Sequence, residues 1–112
     1  MKYQSIRLVV GEDFKELCHT HELDVEPIHC FSVQTTVQDI LSFMYETKDM
    51  STLAIFAYVV VEWLKSKKGR TIRIGIENEK IKEISAENVS KKELEEILKR
   101  TIILTTHEPE DR

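Results

Sequence analysis

Apolar positions along the chain switch between a period of two and a period of three to four, and the switches predict its elements. "SIRLVV" alternates through Ile6, Leu8 and Val10 and stops at Gly11, which predicts a first strand. "EDFKELCHTHEL" then places Phe14, Leu17, Cys18 and His21 at i, i+3, i+4 and i+7, the stripe of an amphipathic helix. Glu12 and Asp13 suit the positive N-terminal end of that helix. Pro27 disfavours helix for the residue before it, and "IHCFSVQT", rich in β-branched and aromatic residues, predicts a second strand. Thr36 and Asp39 have capping-box spacing, so a helix is expected through "VQDILSFMYET".

A break at "KDMS" leaves Ser51 as N-cap of a second long helix, "TLAIFAYVVVEWLKSKKG". Its length, the cations Lys65, Lys67 and Lys68 near its end, and Gly69 at the left-handed cap position favour helix over a buried strand. Leu53, Phe56, Ala57, Val60, Val61 and Leu64 form one face, and Ile55, Tyr58 and Val59 a second. "RTIRIGIE" alternates cleanly, with Ile72, Ile74 and Ile76 on one side. Asn78 suits a turn, and "KIKEIS" returns as the hairpin partner. Ser90 and Glu93 form a capping box, with Val89 and Leu94 as a hydrophobic staple, opening a helix whose core face is Leu94, Ile97 and Leu98. "TIILTT", residues 101–106, fits either an extension of that helix or an edge strand.

These elements, in the order β-α-β-α-β-β-α, predict an α+β fold: a small four-stranded sheet with helices packed on one face. A single domain is expected over residues 1–106, with 107–112 a frayed, disordered tail. A chain of 112 residues can bury roughly 60–70% of its unfolded surface, enough for stability without disulfides or metal. The charge balance, 16 basic against 20 acidic residues, argues against a general nucleic-acid binder. "MKYQSIRLVV" leads directly into a strand without a signal-peptide pattern, and two cysteines fit a reducing cytoplasm. The longest apolar run, Leu53 to Val61, is shorter than the ~20 residues of a spanning helix, so no membrane association is expected.

The candidate chemistry is concentrated in "CHTHELDVEPIHC", which holds both cysteines and three of the four histidines. Cys18 and His21 lie one turn apart on the predicted helix and could share an ion. His29 and Cys30 are neighbours on the predicted strand and point to opposite faces, so one at most could join them. His19 lies about 100° around the helix from Cys18. Three convergent ligands fall short of the four of a closed zinc site, and the C-x₂-C and H-x₃₋₅-H spacings are missing. The competing reading makes Cys18 a core residue on the apolar stripe, and it is the one adopted: no metal and no cofactor. A glycine-rich loop, a G-x-S-x-G elbow and a paired-carboxylate motif are all missing, so no enzyme is expected.

Two stretches point to contacts with other molecules. "KSKKGRTIR" carries five cations in nine residues and no acid. It reads either as a helix end followed by a solvated strand face or as a site for an anionic partner. The apolar helix offers nearly two faces where one domain covers one, so its second face is a candidate protein–protein or self-association surface. The candidate surface comprises Ile55, Tyr58, Val59, Trp63, Lys67, Lys68 and Arg70.

The order of elements, and above all "EWLKSKKGRTIRIGI" with Trp63, Leu64, Lys67, Lys68, Arg70, Ile72 and Ile74, resembles the effector-associated constant component family of bacterial conflict systems. The resemblance spans roughly Tyr3 to Leu104. It implies a non-catalytic adaptor that links a sensor or NTP-dependent component to an effector protein, with the junction from Trp63 to Arg70 as the part that transfers. Two other classes stay open: a small metal-dependent regulator built on Cys18 and His21 with His29 or Cys30, and an antitoxin- or immunity-type protein partner.

Overall fold

The computed structural model describes residues 3–28, 39–46, 48, 50–78 and 80–109. Alternation sets the first strand: in β1 (Tyr3–Val10), Ile6, Leu8 and Val10 are buried while Ser5 and Arg7 face solvent. Gly11 ends it, and α1 (Glu12–Thr20) buries Phe14 and Cys18. A short strand, β2 (Val25–Pro27), follows. Proline donates no ladder hydrogen bond, and β2 accordingly lies at the edge of the sheet. The second strand expected over "IHCFSVQT" falls almost wholly outside the described residues.

The helix expected through "VQDILSFMYET" is instead a strand, β3 (Asp39–Glu46). Leu41, Phe43 and Tyr45 alternate inward, and they sit opposite Leu8, Ile6 and Gln4 of β1 in antiparallel register. A capping-box spacing contributes about 1 kcal/mol. Three buried large side chains contribute several times that, so period two prevails over the local helix signal.

The second long helix forms as expected: α2 runs Met50–Ser66, two residues earlier than the Ser51 cap would place its first residue. Gly69 adopts φ +87°, the left-handed geometry that ends a helix without a Cβ clash. Then β4 (Thr71–Ile76) and β5 (Lys82–Ser85) form the expected hairpin, with Asn78 at φ 63° in its turn. Helix α3 (Lys91–Leu98) opens with Ser90 as N-cap, its hydroxyl accepting from the Glu93 amide at 3.4 Å. Residues 101–106 resolve as β6 (Thr101–His107).

That last strand is neither a helix extension nor an edge. It lies in the sheet interior, parallel to β1 and antiparallel to β4. Among the described residues the sheet therefore has six strands, not four, in the order β2-β3-β1-β6-β4-β5. Two strands, β3 and β6, account for part of the difference, since one was expected as helix and the other was left undecided. A Cβ on Gly75 would come within 2.6 Å of the Ile103 side chain, so glycine is required where β4 bulges against β6.

Burial alternates along β1, β3 and β4, so the sheet has one buried face and one open one. The three helices of the described residues lie on the buried side, as expected of the α+β class, and α2 packs between α1 and α3. Phe56 stacks on Phe43 at 4.5 Å and meets Phe14 edge-on, joining α2 to β3 and α1. Among the described residues no helix is long and apolar enough to cross a membrane.

Candidate functional site

The stretch from Trp63 to Arg70, which connects α2 to β4, holds the densest polar arrangement of the described residues. Arg70 is 2% exposed despite its charge. Its guanidinium makes five hydrogen bonds. Nε donates to Glu108 Oε1 at 2.9 Å, and Nη2 donates to Glu108 Oε2 at 3.3 Å and to Asp13 Oδ2 at 2.9 Å. Nη1 donates to the Trp63 carbonyl at 3.1 Å and to Ser66 Oγ at 2.6 Å. The Ser66 hydroxyl in turn donates to the Trp63 carbonyl at 2.8 Å. The guanidinium carbon lies 4.3 Å from the centre of the Trp63 ring, a cation–π contact.

Planar geometry explains why arginine stands here. Its rigid fork of five N–H groups can serve two carboxylates, a carbonyl and a hydroxyl at once, which a lysine ammonium cannot. The result fastens four parts of the chain: Asp13 on α1, the end of α2, the start of β4, and Glu108 beyond β6. Residues 107–109, expected to fray, are thereby part of the fold. His107 pairs with Thr71, and a Cβ at position 69 would meet the Pro109 ring at 3.1 Å.

The candidate surface residues consequently separate. Ile55 and Tyr58 are exposed, at 41% and 49%, and Lys67 and Lys68 are exposed beyond the end of α2. Val59, Trp63 and Arg70 are buried and offer no surface. Position 59 turns toward the core because α3 covers one flank of α2 and α1 the other, so the helix buries more of its circumference than two faces drawn from sequence imply. Tyr58 is flanked by His21, whose ring stands edge-on at 5.5 Å, and His21 Nε2 lies 3.7 Å from Glu62 Oε1. The basic stretch divides as well. Arg73 lies on the open face of the sheet, 3.4 Å from Glu83, and Arg70 is enclosed.

A groove of about 390 Å³ runs between α1 and the second half of α2. Asp13, Glu16, Leu17 and Thr20 form one wall, and Glu62, Trp63, Ser66 and Lys67 the other, with Arg70 at one end. The α1 wall has the i, i+3, i+4 and i+7 spacing of one helical face, and the other wall takes i, i+1 and i+4 from the last turns of α2 with Lys67 just beyond its end.

Of the metal candidates, Cys18 is buried in the core, and burial pushes its thiol from 9.0 up to about 12. A thiol held so firmly protonated is a poor metal ligand. His21 sits at the C-terminal cap of α1 beside Tyr58 and Glu62, while His29 and Cys30 lie outside the described residues. Among the described residues no group of three or more His, Cys, Asp or Glu side chains is placed to hold a metal ion. Sequence reasoning missed the open face of the sheet, where Arg7, Met44 and Ile102 are exposed. The signal available was the prediction of helices on one side, which leaves the other side bare.

The chain matches no protein-family model, no curated protein and no solved structure.

Proposed function

We propose that this chain is a non-enzymatic adaptor module, coupling a sensor or NTP-dependent component to an effector protein in a bacterial conflict or signalling system. The observation that carries the reading is the outward face of α2. On a helix packed against the sheet, α1 and α3, the large side chains Ile55 and Tyr58 are left open to solvent one turn apart, and Lys67 and Lys68 are exposed beyond the helix end. Apolar and aromatic side chains grouped on one exposed helical face, with charge at the rim, have the composition of a protein contact. The arginine cluster at Trp63 to Arg70 supports this face by fixing the end of α2. The module acts in the cytoplasm, and the same face serves for contact with a second copy where self-association occurs.

The test is binding between the purified chain and the purified products of the reading frames flanking its gene, followed by calorimetry. Tyr58→Glu places a charge in the middle of the face and is expected to weaken binding at least about tenfold, with the circular dichroism spectrum unchanged. Unaltered affinity would move the contact elsewhere on the molecule.

A further inference from the structure

Among the described residues β5 is the outermost strand on its side of the sheet, so beyond it no strand covers its free edge. Ser85 closes one end of that edge with a turn: its amide donates to Asn88 Oδ1 at 2.8 Å, and its carbonyl accepts from the Asn88 amide at 3.2 Å. Both groups therefore point away from β4. Backbone direction alternates along an antiparallel ladder, so Glu83, two residues earlier and opposite Arg73, turns its N–H and C=O the same way. No described residue pairs with them there. Beside the edge lies a groove of about 280 Å³ between β5 and α3, with Ile84, Val89, Leu94 and Ile97 as its apolar lining. Ile84 and Ile97 keep 8% and 9% of their surface in solvent and Val89 is half-buried, so the lining can be reached from outside. Lys82 is exposed at the start of β5, and Glu93 is exposed in the first turn of α3, beyond the Ser85 end.

We infer that this edge receives an extended peptide of a partner protein as an added antiparallel strand, its core reading aliphatic, basic, acidic, aliphatic from N- to C-terminus. The first aliphatic residue lies opposite Ile84 and enters the groove. The basic residue lies opposite Glu83, exchanges two backbone hydrogen bonds with it and sets its charge beside the carboxylate. That carboxylate is 3.4 Å from Arg73 yet 57% exposed, which leaves it open to a second cation. The acid lies opposite Lys82, and the last aliphatic residue meets the exposed Ile81. Opposite charges directly across two strands attract and like charges repel. A second copy of the chain is disfavoured for that reason. An antiparallel β5 centred on Glu83 opposes Glu83 to itself, one centred on Lys82 opposes Lys82 to itself, and one centred on Ile81 opposes Lys80 to Lys82. Charges that keep a like strand off the edge thus select an unlike one. This site is separate from the outward face of α2, so either reading can fail without the other.

Two end-capped peptides test the assignment, Ser-Thr-Val-Lys-Glu-Val-Thr-Ser and the same peptide with its Lys and Glu exchanged, each titrated into the isotope-labelled full chain. The first is expected to bind with a Kd at or below about 1 mM. At saturation it should slow hydrogen exchange of the Glu83 amide by at least about tenfold. The exchanged peptide should bind about fivefold more weakly, and Lys82→Glu should weaken the first peptide by a similar factor. Methylating the backbone nitrogen of the peptide lysine removes the N–H that the Glu83 carbonyl accepts and should abolish binding. No binding of the first peptide at about 5 mM would overturn the inference. Equal affinity for the two peptides, or undiminished binding of the methylated one, would overturn it as well. So would a Glu83 amide that becomes protected as the protein alone is concentrated, since the occupant would then be a second copy.

Discussion

Arg70 shows how a residue read as a surface cation becomes an internal fastener. Each of its neighbours is an ordinary polar group, and Asp13 and Glu108 keep 56% and 45% of their side chains in solvent. Arg70→Ala therefore removes five hydrogen bonds and the cation over Trp63, but it leaves the Trp63 carbonyl its bond from the Ser66 hydroxyl and both carboxylates free to rehydrate. The expected loss is about 2–3 kcal/mol, below the range for breaking a wholly buried pair. Chemical denaturation of the variant checks the figure, and a change under about 0.5 kcal/mol would mean the cluster does not bind the chain together. Cys18 makes a second residue-scale prediction. Its folded thiol titrates near 12 against 9.0 when unperturbed, so the unfolded chain releases its proton first as pH rises. The stabilisation is complete below pH 9 and is lost between pH 9 and about 12, at about 1.4 kcal/mol per pH unit. Burial also raises Tyr45, whose hydroxyl donates to Gln4, and this acts in the same direction at higher pH. Above pH 9 wild type should lose stability relative to Cys18→Val, and a difference between the two that stays constant from pH 8 to about 12 would refute this account.

At the scale of elements, β3 distinguishes local signals from tertiary ones. Phe43 stacks on both Phe56 and Tyr45 from a strand position, so Phe43→Ala is expected to cost about 3–5 kcal/mol, as for a large aromatic lost from a core. Were residues 39–46 helical, the same side chain would point differently, and a loss under about 1 kcal/mol would favour that reading. Elements specified by neighbours in sequence could be read directly. Ser90 and Glu93 mark the start of α3, Gly69 ends the turn after α2, and the alternation at Ile72, Ile74 and Ile76 marks β4. Those that failed depend on distant partners. In β3, apolar neighbours such as Ile40 and Met44 blur the alternation, and only pairing with β1 resolves it. In β6, Ile102 and Ile103 are consecutive, and the strand is intelligible only between β1 and β4. The bond from Arg70 to Glu108 spans 38 residues and carries no local trace at all.

The whole molecule is a two-layer arrangement with one face of its sheet bare and one helix partly uncovered. Its interior is occupied by a single hydrophobic cluster, so contact with other molecules belongs to the surface: the outward side of α2, the edge of β5 beside α3, and the open sheet face. Of the expected surface residues, the exposed Ile55, Tyr58, Lys67 and Lys68 lie along α2 and the turn that follows it, while Val59, Trp63 and Arg70 support that helix from beneath. The adaptor reading therefore reduces to one claim, that Tyr58 lies within the docking surface and the bare sheet does not. A photo-crosslinking amino acid at position 58 or at position 44, exposed respectively on α2 and on the open face, compares the two surfaces in the same cells. Position 58 is predicted to capture one discrete protein, a flanking-gene product or a second copy of the chain, with position 44 silent. Capture from position 44 alone, or no adduct from position 58 when the protein is folded and expressed, would contradict the account.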